Sequence, residues 1–127
     1  MYLNNKHFKE VLQDNNIDPR EFDRLERLSS KAVMFSTGSR VLIVYVNTIV
    51  FIRNNKIIQL NTGGWETMTT KKWINYGLSK FTNRRPRRYI QQKDFKWYLI
   101  TSIWNGDNYK VINTEDYKDN MKIQFDI

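Results

Sequence analysis

The stretch from Val41 to Leu60 constrains this chain more than any other. Val41 to Val46, Ile49 to Arg53 and Lys56 to Leu60 are rich in β-branched residues, and Asn47-Thr48 and Asn54-Asn55 separate them. Branched side chains suit a pleated backbone. Asn tolerates the positive φ that tight hairpins need. The pattern predicts a three-stranded antiparallel meander. The longest apolar run, Val41 to Ile52, is well short of the ~20 residues of a membrane helix, so no membrane partner is expected.

On the N-terminal side, Asn5 to Gln13 reads as a helix with Phe8, Val11 and Leu12 at helical spacing, broken by Asn15-Asn16. Asp18-Pro19-Arg20-Glu21 then predicts a second helix, with Asp18 as N-cap, Pro19 first and Glu21 at capping-box spacing. Phe22, Leu25 and Leu28 would form its buried face, and it would fade near Ser29-Ser30. Val33 to Phe35 reads as a short strand before a Thr37-Gly38-Ser39 turn.

Past the meander, Asn61-Thr62-Gly63-Gly64 ends the third strand. A helix is predicted over Thr70 to Phe81, with Ile74, Leu78 and Phe81 as its buried stripe. A loop centred on Pro86 follows. Tyr89 to Gln92 and Lys96 to Trp104 form a hairpin across Lys93-Asp94. Tyr109 to Asn113 reads as a strand, Thr114 to Asn120 as a polar loop and Lys122 to Ile127 as a last strand. The expected class is α+β: N-terminal helices, then an antiparallel sheet with one inserted helix. At 127 residues this is a single domain, with a helical part over 1–31 and the sheet over 32–127.

Charge is concentrated in one place. Lys and Arg number 21 against 13 Asp and Glu, a net charge of +8. Between Lys71 and Lys96 stand nine basic residues and one acid, Asp94, which accounts for the whole surplus. A near-neutral domain with one strongly basic segment has the footprint of a polyanion site. The sharpest part is Arg84-Arg85-Pro86-Arg87-Arg88-Tyr89, because four guanidiniums so close together cannot all be buried. Arg matches phosphate bidentately and stacks on bases. The expected phosphate contacts are Lys71, Lys72, Lys80, Arg84, Arg85, Arg87 and Arg88, with Tyr89 as an aromatic face. Tyr98 is a further aromatic, whereas Trp97 and Trp104 are expected to alternate into the core and Trp65 to plug it.

The start of the inserted helix suggests a second anion site. Lys71 and Lys72 face the positive end of the helix dipole, against the local preference. Gly63, Gly64, Thr69 and Thr70 would supply amides and hydroxyls for a phosphate cradle. The alternative is that a Thr caps the helix, the lysines reach into water, and the glycines serve a positive-φ turn.

Catalysis is not expected. Cysteine is absent and His7 is the lone histidine, so disulfides, zinc fingers and thiolate metal sites are excluded. No carboxylate cluster has metal-ligand spacing, and no phosphate-loop, dinucleotide or nucleophile-elbow motif occurs. No cofactor is expected. The N-terminus has no apolar signal-peptide region, so a cytoplasmic location is the default.

Leu60-Asn61-Thr62-Gly63-Gly64-Trp65-Glu66-Thr67-Met68-Thr69-Thr70-Lys71 resembles a signature of small, uncharacterised bacteriophage proteins. Asn75 after the helix start, Tyr89 to Lys93, Lys96 to Leu99 and Tyr117 to Ile123 are also similar, with Asn120 where that family usually has Gly. The similarity covers Val41 to Ile127 and implies a phage origin and a host-cytoplasm location. It implies no activity. The order helix, three strands, helix opening with Lys71-Lys72 is also similar to a double-stranded-RNA-binding domain, though the helix lacks that family's alanines and further strands follow. The expected function is non-enzymatic binding of DNA or RNA through phosphates. The alternative is a phage inhibitor, or anti-defence protein, that docks on a host protein or nucleoprotein complex.

Overall fold

The meander forms as predicted, but as the middle of a larger sheet. The computed structural model describes residues 6–22, 24–38, 40–82 and 85–124. In chain order these form helix α1 (Lys6–Asp14), a single 3-10 turn (Pro19–Glu21), strands β1 (Arg24–Arg27), β2 (Ala32–Thr37), β3 (Arg40–Tyr45), β4 (Thr48–Asn54) and β5 (Ile57–Leu60), helix α2 (Met68–Lys80), and strands β6 (Arg87–Lys93), β7 (Lys96–Trp104), β8 (Tyr109–Asp116) and β9 (Lys122–Gln124). The first sheet has the order β1-β2-β3-β4-β5-β9 and the second β6-β7-β8. All pairings are antiparallel.

The expected α+β fold with N-terminal helices is corrected to a mainly β fold, in which strand residues outnumber helical ones by more than two to one. The second helix does not form. Asp18 does cap, accepting the Arg20 N–H at 2.9 Å and the Arg20 guanidinium at 3.0 Å, but only a single turn follows before Phe22 turns extended. Arg24–Arg27 then pairs along the edge of β2. The backbone groups of β2 need partners, and that need outweighs local helix signals. Leu25, expected in a buried face, is 57% exposed. The alternating charges of Arg24, Glu26 and Arg27 blunt the new edge. With six strands in the first sheet, the three-stranded order of a double-stranded-RNA-binding domain is absent as well.

The first sheet is buried on both faces. One face carries Val33, Phe35, Leu42, Val44, Ile49 and Ile52, which α1 covers with Phe8 and Leu12. The other carries Ala32, Met34, Val41, Ile43, Val50, Phe51, Ile58 and Leu60, packed on Trp73, Ile74 and Leu78 of α2 and on Ile90, Trp97 and Leu99 of the second sheet. Two-sided burial is why β2 and β3 read as near-continuous apolar runs. A register shift between Ile43 and Val44 sends the neighbours Val50 and Phe51 to the same core, as a bulge does. Asn15 Nδ2 ties the end of α1 to Gln59 Oε1 of β5 at 2.9 Å.

Several boundaries move, among them the start of β6, which lies at Arg87 rather than Tyr89 and takes Arg87 and Arg88 out of the expected loop. The expected polar loop at Thr114 begins instead as the last residues of β8. The inserted helix starts at Met68 rather than Thr70. The last strand is described to Gln124; Phe125 to Ile127 lie outside the described residues, as do Asn5, Ser39 and the His7 side chain.

Candidate nucleic-acid interface

Helix α2 links the two basic regions that the sequence singles out. Thr67 is its N-cap, with Oγ1 accepting the Thr70 N–H at 3.2 Å. Lys71 is half-buried and Lys72 exposed in the first turns, and the Lys72 ammonium sits 4.9 Å from the Trp73 ring centroid. Lys80 stands at the other end and donates to the Tyr76 hydroxyl at 2.9 Å. That bond raises its pKa, so it stays charged. Eight residues along a helix is about 12 Å. That spacing sets Lys71 and Lys72 at one end of α2 and Lys80, with the arginines that follow it, at the other.

The second sheet docks beside α2 through Asn75. Its Nδ2 donates to the Ile90 carbonyl at 3.0 Å, and its Oδ1 accepts the Ile90 N–H. Ile90, Trp97 and Leu99 face the core. Side chains alternate along a strand, so Arg87, Tyr89, Gln91, Tyr98 and Trp104 take the opposite, outer face, on which Ile100 is itself buried, while Arg88 shares the side of Ile90. The Arg87 guanidinium carbon lies 5.1 Å from the ring centroids of both Tyr89 and Tyr109. Trp104 meets Tyr109 edge-on at 5.3 Å. Lys96 stacks over Tyr98 and pairs with Asp116 at 3.1 Å, and this hydrogen bond raises the lysine pKa. Guanidinium and ammonium groups stacked on rings are favourable where partly desolvated.

A cleft of about 440 Å³ opens at this end of β6, lined by Asn75, Ser79, Arg87, Arg88, Tyr89 and Tyr109. Nη1 of Arg88 is buried there without a hydrogen-bond partner among the described residues. A buried donor of this kind is uncommon, and an acceptor is favourable beside it. Arg85 is exposed next to the cleft sequence, while Arg84 lies outside the described residues. The fold thus gathers Arg87, Arg88 and Tyr89, with Tyr109 as a wall that the sequence reading missed. Trp97 is buried as expected, but Trp104 is 50% exposed and Trp65 72% exposed, so neither plugs the core.

The second anion site is occupied by the chain itself. The Gly63 N–H donates to Asn61 Oδ1 at 2.6 Å and the Gly64 N–H to Thr62 Oγ1 at 3.2 Å. Thr70 is buried with its hydroxyl 3.0 Å from that of Thr67, and Thr69 is exposed. The Asp119 carboxylate accepts from the Thr62 N–H, the Thr62 hydroxyl and the Tyr117 hydroxyl. Both glycines have positive φ, and a Cβ on Gly63 would sit 2.4 Å from Thr48 Oγ1. The glycines therefore serve a tight turn pressed on the β3–β4 hairpin.

The family model for the Kyanoviridae Gp96 protein matches residues 27–124. The chain belongs to the Kyanoviridae Gp96 family. It is thus a phage protein. The Gp96 match runs from the last residue of β1 to the end of β9 and includes the whole basic segment, the second sheet and β2 to β5 and β9 of the first, while α1, the 3-10 turn and most of β1 precede it. Asn120, where the resemblance has Gly, takes a φ of 67°, the left-handed region that Gly and Asn tolerate. No curated protein and no solved structure matches the chain. No group of three or more His, Cys, Asp or Glu able to hold a metal occurs among the described residues. No described helix is long and apolar enough to cross a membrane.

Proposed function

We propose that this phage protein binds single-stranded nucleic acid, without catalysis, across the β6 edge of the second sheet and its adjoining outer face. The observation that carries the reading is Arg87 held between the rings of Tyr89 and Tyr109 beside the partnerless Nη1 of Arg88. Aromatic rings on a sheet face stack bases, and interleaved cations track phosphates. Tyr98 and Trp104 extend the ring surface, and Arg85, Lys80, Lys93 and Lys96 supply further charge. Stacking needs unpaired bases, so single strands are preferred over duplexes.

Fluorescence anisotropy with labelled single-stranded DNA, single-stranded RNA and the matching duplexes, at two salt concentrations, tests this. Single strands should bind best, and their affinity should fall as salt rises. The Arg87→Ala/Arg88→Ala double variant should weaken binding about tenfold or more. Salt-insensitive binding, or none, overturns the reading. A second reading, docking on a host protein or nucleoprotein complex, draws support from Ile103, Trp104, Val111 and Ile112, apolar and exposed on β7 and β8. Capture of a stoichiometric protein partner from nuclease-treated host lysate, together with no nucleic-acid binding, favours that second reading.

A further inference from the structure

A second cavity, of about 420 Å³, lies between the β3–β4 hairpin and the N-terminal turn of α2. Tyr45, Val46, Val50 and Trp65 give it apolar walls, and Asn47 and Thr48 give it hydrogen-bonding groups. This volume falls within the range of small-ligand sites.

Val46 is the telling residue. The hairpin joins Tyr45 to Thr48 through two residues, and Val46 takes a φ of 58°. A branched side chain in that region is a true outlier, and Gly is the usual occupant of such a turn. Core packing does not account for the isopropyl group, which is 49% exposed. What it does is wall the cavity. Strain kept at a cavity wall is a mark of a ligand clamp. Trp65 lines the same cavity with its indole 72% exposed, an unusual position for a large ring.

Both walls are held in place. The Val46 N–H donates to the Lys31 carbonyl at 2.9 Å. Thr62 is anchored by Asp119, and Gly63 packs against Thr48. Lys71 and Lys72 follow in the adjoining turn of α2; of the exposed acids Glu66 and Asp119, the second is engaged by Thr62 and Tyr117.

We infer that this cavity takes one unstacked nucleobase, with Trp65 and Val46 as its walls and Lys71 and Lys72 beside the flanking phosphates. The inference rests on the nucleic-acid reading above and adds a second contact at the other end of α2. Thr48 and Asn47 offer polar groups to the base edge, as single-strand readers do.

The test uses the full chain and two labelled single strands of equal length, an oligothymidine and an abasic backbone. Trp65→Ala and Val46→Gly should each lose about tenfold in affinity for the oligothymidine and nothing for the abasic strand. Val46→Gly should melt no lower than the wild type, because Gly relieves the turn, so its loss of binding is not a loss of folding. Arg87→Ala should weaken both strands. If the wild type binds and the two cavity variants match it on oligothymidine, or lose equally on both strands, the cavity takes no base and the broader function stands. If the wild type binds neither strand, both readings fall.

Discussion

Asn75 satisfies both backbone groups of Ile90, donating to its carbonyl and accepting its N–H. One side-chain amide thus stands in for a neighbouring strand along the open edge of β6. Asn75→Leu leaves two part-buried backbone groups without partners and should cost about 2 kcal/mol. Urea unfolding of wild type and variant measures it, and an unchanged midpoint would show that water replaces the amide freely.

Gly77 lies where α2 crosses β4. A Cβ there would sit 2.5 Å from the Phe51 ring. Gly77→Ala should destabilise by about 1–3 kcal/mol through overpacking, against the gain of up to about 1 kcal/mol that Ala brings to a helix interior. Thermal melts decide the sign.

Burial holds the Tyr117 phenol well above the usual tyrosine range, and its hydrogen bond to Asp119 adds to this. The folded state therefore favours the neutral phenol. Its contribution is complete below the unfolded value of about 10 and is lost as pH rises above it. Stability of the wild type should fall more steeply on that limb than that of Tyr117→Phe, by up to about 1.4 kcal/mol per pH unit. Denaturant unfolding from neutral pH to about 11 compares the two slopes, and parallel slopes would remove Tyr117 as the cause.

Phe95, at the β6–β7 turn, is 95% exposed with a φ of 65°. The left-handed conformation costs a side chain about 1–2 kcal/mol. Phe95→Gly should raise stability by up to about 1 kcal/mol, after the added freedom of the unfolded glycine is counted. A melting temperature below that of the wild type would mean that the ring supports the fold.

Local chemistry made the β3–β5 hairpins and β7 legible, because alternation and Asn turns lie within a few residues of each other. It misread Arg24–Arg27, where leucines three apart fit a helix and only pairing along the open edge of β2 selects a strand. The partnership of β5 with β9 spans sixty-odd positions and leaves no local trace. In the candidate site, the exposed arginines were legible because their number precludes burial. Tyr109 was not, since its approach to Arg87 depends on how β8 folds back on β7. The placing of Trp104 was within reach: Trp97 and Trp104 are an odd number of positions apart on one strand, so they cannot both face the core.

Strand β7 divides its labour by parity. Trp97 and Leu99 hold the core, while Tyr98 and Trp104 stand on the outer face beside Tyr89 and Gln91. Selection on the fold and selection on the surface therefore act on different residues of the same strand. A lineage can rewrite the exposed side chains of the outer face one at a time while the core stays as it was.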